Sequence, residues 1–422
     1  MSPARYPGVK GVEDILPPDT YLLQEMEAAM REAFSLYGFK ELRIPVIEFT
    51  DVFTRSIGET SDIVEKEMYT FLDRAGRSIT LRPEGTASVV RCYVEKHLYN
   101  LPAPQKFFYS GPMFRYERPQ KGRQRQFYQI GAEAFGVEEP KMDAEVISML
   151  VMFLKGIGLE GFRVELNSIG CKNCRPAYRE ALRGAFAPGL GSLCPDCQRR
   201  YELNPLRILD CKVDKCRELR KGAPLVTDSL CPECREHFRE LKSLLDMLGI
   251  RYELNPEMVR GLDYYSRTTF EVTSDRLGSQ SAVAAGGRYD GLVEEFGGPA
   301  TPAIGFAIGV ERLIYLLKER ELDIPLPDVF IAAIGPAANR EAVRLAGRLR
   351  AEGAWVELGY GGASLKSQMR RADRLGAAYA FIIGDDELGA GVFKWKSLKD
   401  GSAGEISGAD APGFIKSRKN RL

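Results

Sequence analysis

The sequence predicts an α+β chain in three parts: a strand-rich region with helices, a mainly helical cysteine-rich module set inside it, and a small α/β domain at the C-terminal end. Three observations carry this. Two strand patterns flank a basic loop in FRYERPQKGRQRQFYQIGAE (114–133). Eight of nine cysteines fall between Cys171 and Cys234, where no clear strand pattern exists. Beyond the proline-rich stretch ELDIPLPD (321–328), strand and helix patterns alternate, which argues for a separate domain with a largely parallel sheet.

Taken in order, a helix is expected after LPPDT. Leu22, Met26, Met30, Phe34 and Tyr37 share one face, Asp19 can cap the start and Gly38 the end. KELRIPVIEF (40–49) reads as a strand at an edge or bend, because Pro45 has no amide for a ladder. SITLRPEGT (78–86) is a strand entering a helix at ASVVRCYVEKHL (87–98). The strands 105–117 and 125–135 follow, with Pro119 and Gly122 turning the chain between them. Period two puts Arg115 and Glu117 on one face of the first strand. It puts Gln129, Gly131 and Glu133 on one face of the second. Polar groups repeating on a strand face suggest a lined pocket beside a basic tip.

The module spans residues 171–250. Strands resume within 252–274, 281–293 and 303–309, and a helix follows with Val310, Leu313, Ile314 and Leu317 on one face. In the last domain, strands are expected at 329–335, 355–360, 379–388 and 392–398, with helices at 339–353 and 365–376. The basic tail FIKSRKNRL (414–422) is expected to be loose.

Net charge is +1, so a nucleic-acid partner must be met by local patches and not by bulk attraction. No run approaches the ~18 apolar residues of a membrane span, and the N-terminus lacks the apolar core of a signal peptide. A cytoplasmic protein with no membrane partner is expected. No Gly-Lys dipeptide occurs, which excludes a Walker-type phosphate loop. The two histidines, His97 and His237, are expected as surface or packing residues, so a histidine triad or histidine-rich metal centre is disfavoured.

Arginine remains. Arg115, Arg260 and Arg312 lie on separate elements, and a guanidinium fork matches phosphate oxygens. Together they could clamp a polyphosphate. For any one of them, the alternative is a surface ion pair worth about 0–1 kcal/mol.

The cysteines come as Cys171–Cys174, Cys194–Cys197, Cys211–Cys216 and Cys231–Cys234. In a reducing compartment this clustering points to metal before disulfides. Two pairs complete a tetrahedral four-cysteine site with Zn–S near ~2.3 Å. Four pairs build two structural zinc sites, or one with spare thiols, and spacing leaves the pairing open. The contrary reading is a set of reduced cysteines packing in a small helical module.

TLRPEGT (80–86), FRYERPQKGRQRQFYQIGAE, RGLDYYSRTTFE (260–271), AGGRYDGL (285–292) and GFAIGVERL (305–313) occur in this order. Together they resemble the histidyl-tRNA synthetases, class II aminoacyl-tRNA synthetases. The second and last are similar to motifs 2 and 3 of the class, and YGFKELRIPVIE (37–48) to its motif 1. SLKSQMRRADRLGA and IIGDDEL resemble the family's anticodon-binding domain. The likeness covers nearly the whole chain, and RGLDYY and AGGRYDGL are its histidine-specific pieces. Tyr116 and Tyr128 stand where some members carry histidine, and Lys10 where arginine often precedes glycine.

The resemblance implies a catalytic domain (1–325) with an antiparallel sheet flanked by helices, interrupted by the 171–250 insertion, an anticodon-binding α/β domain (328–422), and a homodimer. It implies ATP-dependent ligation of L-histidine to tRNA(His) through histidyl-adenylate, with Mg2+ on the β- and γ-phosphates. Glu84 and Thr86 would hold the α-amino group, Gln129 would orient the amino acid, and Glu133 and Tyr265, with Tyr264 beside them, would bracket the imidazole. Arg115 would bind the α-phosphate, Glu117 would face adenine, Arg312 would bind the γ-phosphate, and Arg260 would bridge carboxylate and α-phosphate. Arg118, Lys121, Arg123 and Arg125 would meet the acceptor stem. Lys366, Arg370, Arg371 and Arg374 are candidates near the anticodon. The rival reading is the histidine-sensing regulatory subunit of ATP phosphoribosyltransferase. Such subunits share the catalytic fold, lack the C-terminal domain and have lost catalytic residues.

Overall fold

The computed structural model describes residues 6–57, 63–119, 122–259, 262, 264–322, 324–360 and 362–419. The chain divides into two units, residues 1–321 and 322–422.

The strands of the first unit are β1 (Lys40–Glu41), β2 (Ile47–Phe49), β3 (Tyr69–Leu72), β4 (Ser78–Leu81), β5 (Gln105–Phe114), β6 (Gln126–Phe135), β7 (Arg163–Ser168), β8 (Glu253–Leu254), β9 (Ser266–Thr273), β10 (Ala282–Arg288) and β11 (Ala303–Gly309). Eight of them form one sheet in the order β1-β5-β6-β11-β10-β9-β7-β8. Every inner pairing is antiparallel, and the two outermost, β1–β5 and β7–β8, are parallel. The expected antiparallel sheet is therefore mixed at both edges. β2, β4 and β3 make a separate three-stranded sheet.

The helix Asp19–Leu36 buries Leu22, Met26, Met30 and Phe34, and Phe34 meets Phe108, Phe153 and Phe306 edge to face. Asp19 is its first helical residue and not its cap. Pro18 precedes it, without a side-chain cap bond. The segment 40–49 is two strands in two sheets, because Pro45 ends the ladder between them. Buried Arg82 holds this break: its guanidinium donates to the carbonyls of Ile44 (2.6 Å) and Pro112 (2.8 Å). The apolar run 146–154 lies in the helix Pro140–Gly156, largely buried against the sheet unit's other helices.

The insertion is helical, with α-helices Arg175–Phe186, Pro195–Leu203, Asp214–Arg220 and Pro232–Met247. It has an apolar core of its own, including Tyr178, Leu182, Phe186, Ile208 and Val226. Sequence reasoning found little there beyond cysteines, because these residues come from short, separate helices.

In the second unit, β12 (Val329–Ala333), β13 (Val356–Leu358), β14 (Tyr379–Ile383), β15 (Val392–Ser397) and β16 (Ala403–Ser407) form one sheet ordered β13-β12-β14-β15-β16. The first three strands are parallel and the last two antiparallel, so the sheet is less parallel than expected. The segment 379–388 is a strand followed by a short helix, Asp385–Ala390. Most of the supposed loose tail is the helix Ala411–Lys419, where Ile415 is buried and Phe414 packs on Trp395.

Candidate active site

The sheet's register builds the site floor. Residues directly opposite in a ladder point to the same face. One row runs Glu133, Gly305, Gly287, Thr269, and the next Tyr109, Gly131, Ala307, Ala285, Glu271. Gln129 lies between Gly111 and Gly309 in a third. Small residues in the middle make a trough, which the Tyr109 and Glu133 side chains enter, with polar groups at its sides. The glycines are required. A Cβ on Gly305 would fall 1.7 Å from Glu133 Oε2, and one on Gly131 or Gly85 would fall 2.2 Å from the Tyr109 ring.

At one end sit two buried carboxyls. Glu84 accepts the amides of Thr86 (2.7 Å) and Ala87 (2.8 Å), closing the first turn of the helix Thr86–Glu95. Glu133 accepts from Thr86 Oγ1 (2.7 Å), Tyr109 OH (3.3 Å) and Tyr289 OH. Burial, and the nearby charge of Glu84, push Glu133 up to about 8 against these donors. Burial also raises Glu84, while Arg115 opposes it. Tyr264 and Tyr265 are buried beside them, with ring centroids 4.8 Å apart.

At the other end sit the arginines. Arg115 donates Nε to the Pro83 carbonyl (2.8 Å) and lies over the Phe127 ring. Arg123 pairs with Glu117 at 2.8 Å. Arg312, in the first turn of the helix Val310–Leu317, donates to the Ala282 carbonyl. Its guanidinium is lowered by burial first, then by Arg123 and Arg115, with Glu117 and Glu271 acting in opposition. Three guanidiniums thus share one neighbourhood with two carboxylates, Glu117 and Glu271, and the excess positive charge suits an anion. Between the two ends, the Gln129 side-chain oxygen is buried without a hydrogen-bond partner.

The sequence-selected residues Glu84, Thr86, Arg115, Glu117, Gln129, Glu133, Tyr264, Tyr265 and Arg312 therefore line one trough. Arg260 and Lys121 lie outside the described residues. In the loop, Arg118 is exposed, Arg125 stacks on Tyr116 (4.1 Å), and Arg123 belongs to the trough as much as to the tip. Sequence reasoning missed Tyr109 and Tyr289. Tyr289 sits within AGGRYDGL, so its motif marked it as near the site, whereas Tyr109 meets Gly131 only once the strands are paired and nothing local marks it. It also missed Glu311, whose carboxylate accepts the Tyr128 amide (2.8 Å) and is raised to about 7 by burial.

The family model described as histidyl-tRNA synthetase matches residues 11–174 and 175–313. This chain belongs to the histidyl-tRNA synthetase family. The anticodon binding domain model matches residues 328–418. A protein named histidine–tRNA ligase from Syntrophotalea carbinolica is 53% identical over 400 residues, covering 95% of this chain and 96% of that protein. One of the same name from Thermodesulfovibrio yellowstonii is 53% identical over 404 residues, 96% of each. The crystal structure of apo S. aureus histidyl-tRNA synthetase superposes with a TM-score of 0.83 at 39% identity, covering 97% of this chain and all of that one. The Nostoc sp. PCC 7120 histidyl-tRNA synthetase structure shares the fold at 20% identity, with a TM-score of 0.68. As a member of this family the chain is an enzyme of the class II synthetases. The match over 328–418 and the retained Arg115 and Arg312 disfavour the regulatory-subunit reading.

In the second unit, Ser364 caps the helix Leu365–Arg374, on which Lys366, Arg370 and Arg374 are exposed and Arg371 stacks toward Tyr360. In the insertion the eight cysteines resolve into two groups, Cys171, Cys174, Cys231, Cys234 and Cys194, Cys197, Cys211, Cys216. Within each group the sulfurs all lie within 4.8 Å of one another. The first pair joins the fourth, and the second joins the third. No helix among the described residues is long and apolar enough to cross a membrane.

Proposed function

We propose that this protein activates L-histidine with ATP and transfers it to tRNA(His). The observation that carries this reading is the pair of buried carboxyls, Glu84 and Glu133, at one end of a trough whose other end gathers Arg115, Arg123 and Arg312. A ligand with an ammonium and an imidazole N–H answers the first end, and its carboxylate with a polyphosphate answers the second.

In this reading Glu84 and Thr86 take the α-ammonium, and Glu133 accepts an imidazole N–H while Tyr264 and Tyr265 flank the ring. Deprotonating Glu133 in a dry pocket is unfavourable alone and becomes favourable when the ligand brings the donor. An analogue without that donor leaves the carboxyl unpaired, a penalty able to give roughly 10⁴–10⁵-fold rejection. Gln129 orients the amino acid. Arg115 holds the α-phosphate, Glu117 faces adenine, and Arg312 holds the γ-phosphate. Arg260 bridges the histidine carboxylate and the α-phosphate.

The carboxylate oxygen attacks the α-phosphorus. The bond to the β-phosphate oxygen breaks, giving histidyl-adenylate and pyrophosphate. Two anions must approach, so fixed positive charge and alignment supply most of the acceleration. Mg2+ on the β- and γ-phosphates would add charge neutralisation, and Glu271, a carboxylate close enough to act on Arg312, suits it as an oxygen donor. A ribose hydroxyl of the tRNA then attacks the carbonyl carbon of the adenylate, the bond from that carbon to the phosphate oxygen breaks, and AMP leaves. With no histidine in the trough, a phosphate oxygen is the proton acceptor in this proposal.

The loop with Arg118, Lys121 and Arg125 would meet the acceptor stem, and Lys366, Arg370, Arg371 and Arg374 the anticodon stem. The catalytic domain would run over 1–325 around the 171–250 insertion, and the anticodon domain over 328–422. A homodimer is supported by exposed Ile47, Phe49, Phe71 and Leu72 on the small sheet. ATP–pyrophosphate exchange with each amino acid tests the core of the reading. Histidine alone should support exchange, and exchange with another amino acid, or none, would overturn it.

A further inference from the structure

We propose that the insertion holds two structural zinc ions in nested tetrathiolate sites: a proximal one on Cys171, Cys174, Cys231 and Cys234, and a distal one on Cys194, Cys197, Cys211 and Cys216.

The distances fit one tetrahedral ion per group, and thiolate ligands in a closed structural site favour zinc. A tetrahedral ion with Zn–S near ~2.3 Å sets its four sulfurs about 3.8 Å apart. The sulfurs of Cys171 and Cys174 are 3.7 Å apart, those of Cys171 and Cys231 3.9 Å, and those of Cys194 and Cys211 3.9 Å. Disulfides need about 2.05 Å between sulfurs, and all nine cysteines are free. An iron–sulfur cluster places its iron atoms and sulfides between the cysteines and would spread them beyond this spacing.

The backbone is shaped for thiolates. The Cys231 amide donates to Cys174 Sγ (3.2 Å) and the Cys194 amide to Cys216 Sγ (3.3 Å). The amides of Asn173 and Cys174 turn toward the Cys171 sulfur. Gly170, with φ of 67°, lets the chain pass Cys174, where a Cβ would lie 2.7 Å from the Cys174 Cβ. Four thiolates on one Zn2+ carry a net charge of −2, and the Arg267 guanidinium is near enough to Cys234 to feel it.

The two sites do different work. The distal four pack into the module's own core with Tyr178, Leu182, Phe186 and Ile208. The proximal four tie the module's first and last segments together at its root. That root is bonded to β9: the Ile169 amide donates to the Arg267 carbonyl, and the Arg267 amide to the Gly170 carbonyl, both at 2.8 Å. Two residues before Arg267 stands Tyr265. The proximal ion therefore clasps the insertion to the strand that follows the buried tyrosines, and the distal ion holds only the outer lobe. Four thiolates leave no open coordination position, so neither ion is catalytic.

Elemental analysis of the full chain, purified without chelator or metal-binding tag, should give two zinc per chain. Cys197→Ser with Cys211→Ser should leave one, with amide exchange across 264–274 unchanged. Cys174→Ser with Cys234→Ser should leave one and speed exchange across 264–274. If the second variant does not fold, titration of the unaltered protein with a mercurial decides it: two zinc ions should be released as its thiols are consumed. Zero or one zinc in the unaltered protein, iron in its place, or loss of both ions from the distal variant would overturn the proposal. Equal exchange at 264–274 in both variants would overturn the division between the two sites.

Discussion

Replacing Glu133 with Gln should make the catalytic unit more stable at alkaline pH while weakening its hold on histidine. Glu133 is fully buried, and burial with the charge of Glu84 lifts it from 4.5 to about 8. A carboxyl raised on folding contributes its full stability below the unfolded value. That contribution is lost as pH rises from 4.5 to about 8, and the curve is flat above. At 1.36 kcal/mol per tenfold, the span corresponds to about 5 kcal/mol as an upper limit. Glutamine keeps the shape and does not titrate, so variant minus wild-type stability should climb by several kcal/mol between about pH 4.5 and 9. The difference across pH cancels any fixed cost of placing the amide beside Tyr289. Chemical unfolding followed by far-ultraviolet circular dichroism measures it. Both tryptophans, Trp355 and Trp395, lie in the C-terminal unit. Their fluorescence is an internal control whose transition should not shift. Losing a hydrogen bond to a charged acceptor, about 1.5–3 kcal/mol, should raise the KM for histidine roughly ten- to hundredfold. A stability difference that stays constant across this pH span would refute the account of Glu133 as a carboxyl held neutral by burial.

Replacing Arg260 with His should slow ATP–pyrophosphate exchange by ~10²–10³ without altering the circular dichroism spectrum, through loss of a fixed charge at the α-phosphate; near-normal exchange removes Arg260 from the mechanism. Gly305→Ala would drive a methyl into Glu133 Oε2, 1.7 Å away; adenylate formation should fall at least tenfold with a stability cost of about 1–3 kcal/mol, and unchanged histidine KM would contradict the trough geometry. Arg288 is fully buried and pairs with buried Asp143 at 2.7 Å; Arg288→Ala should destabilise by about 3–5 kcal/mol, read as a lower denaturation midpoint. Deleting everything after Pro327 should leave histidine activation measurable and weaken charging of tRNA; a truncated chain that charges tRNA as well as the full one would contradict the proposed division of labour.

Local pattern made much of this molecule legible in advance. The apolar stripe Leu22–Met26–Met30–Phe34 is a helix face because 3.6-residue spacing is a property of the chain itself. Period two put Gln129, Gly131 and Glu133 on one strand face before any partner strand was known. The ordered motifs named the residues that line the trough, since motif spacing is also carried by the chain.

What sequence left open depended on neighbours distant in the chain. Residues 40–49 look like one strand, and only pairing partners divide them between two sheets. The tail reads as polar and loose, yet Phe414 and Ile415 make it a helix by packing on the last sheet. Tyr109 and Tyr289 reach Glu133 from positions 24 and 156 residues away, so no local pattern could show that they share its carboxylate. The value near 8 for Glu133 is likewise a consequence of enclosure and not of residue type. Four CxxC-like pairs can be joined several ways on paper. The folded chain brings first to fourth and second to third because β7 delivers the first pair to the place where the helix Pro232–Met247 begins with the last. Sequence set which groups were present and which face each occupied. Tertiary structure set which of them meet, because contact, burial and charge coupling depend on distance in space.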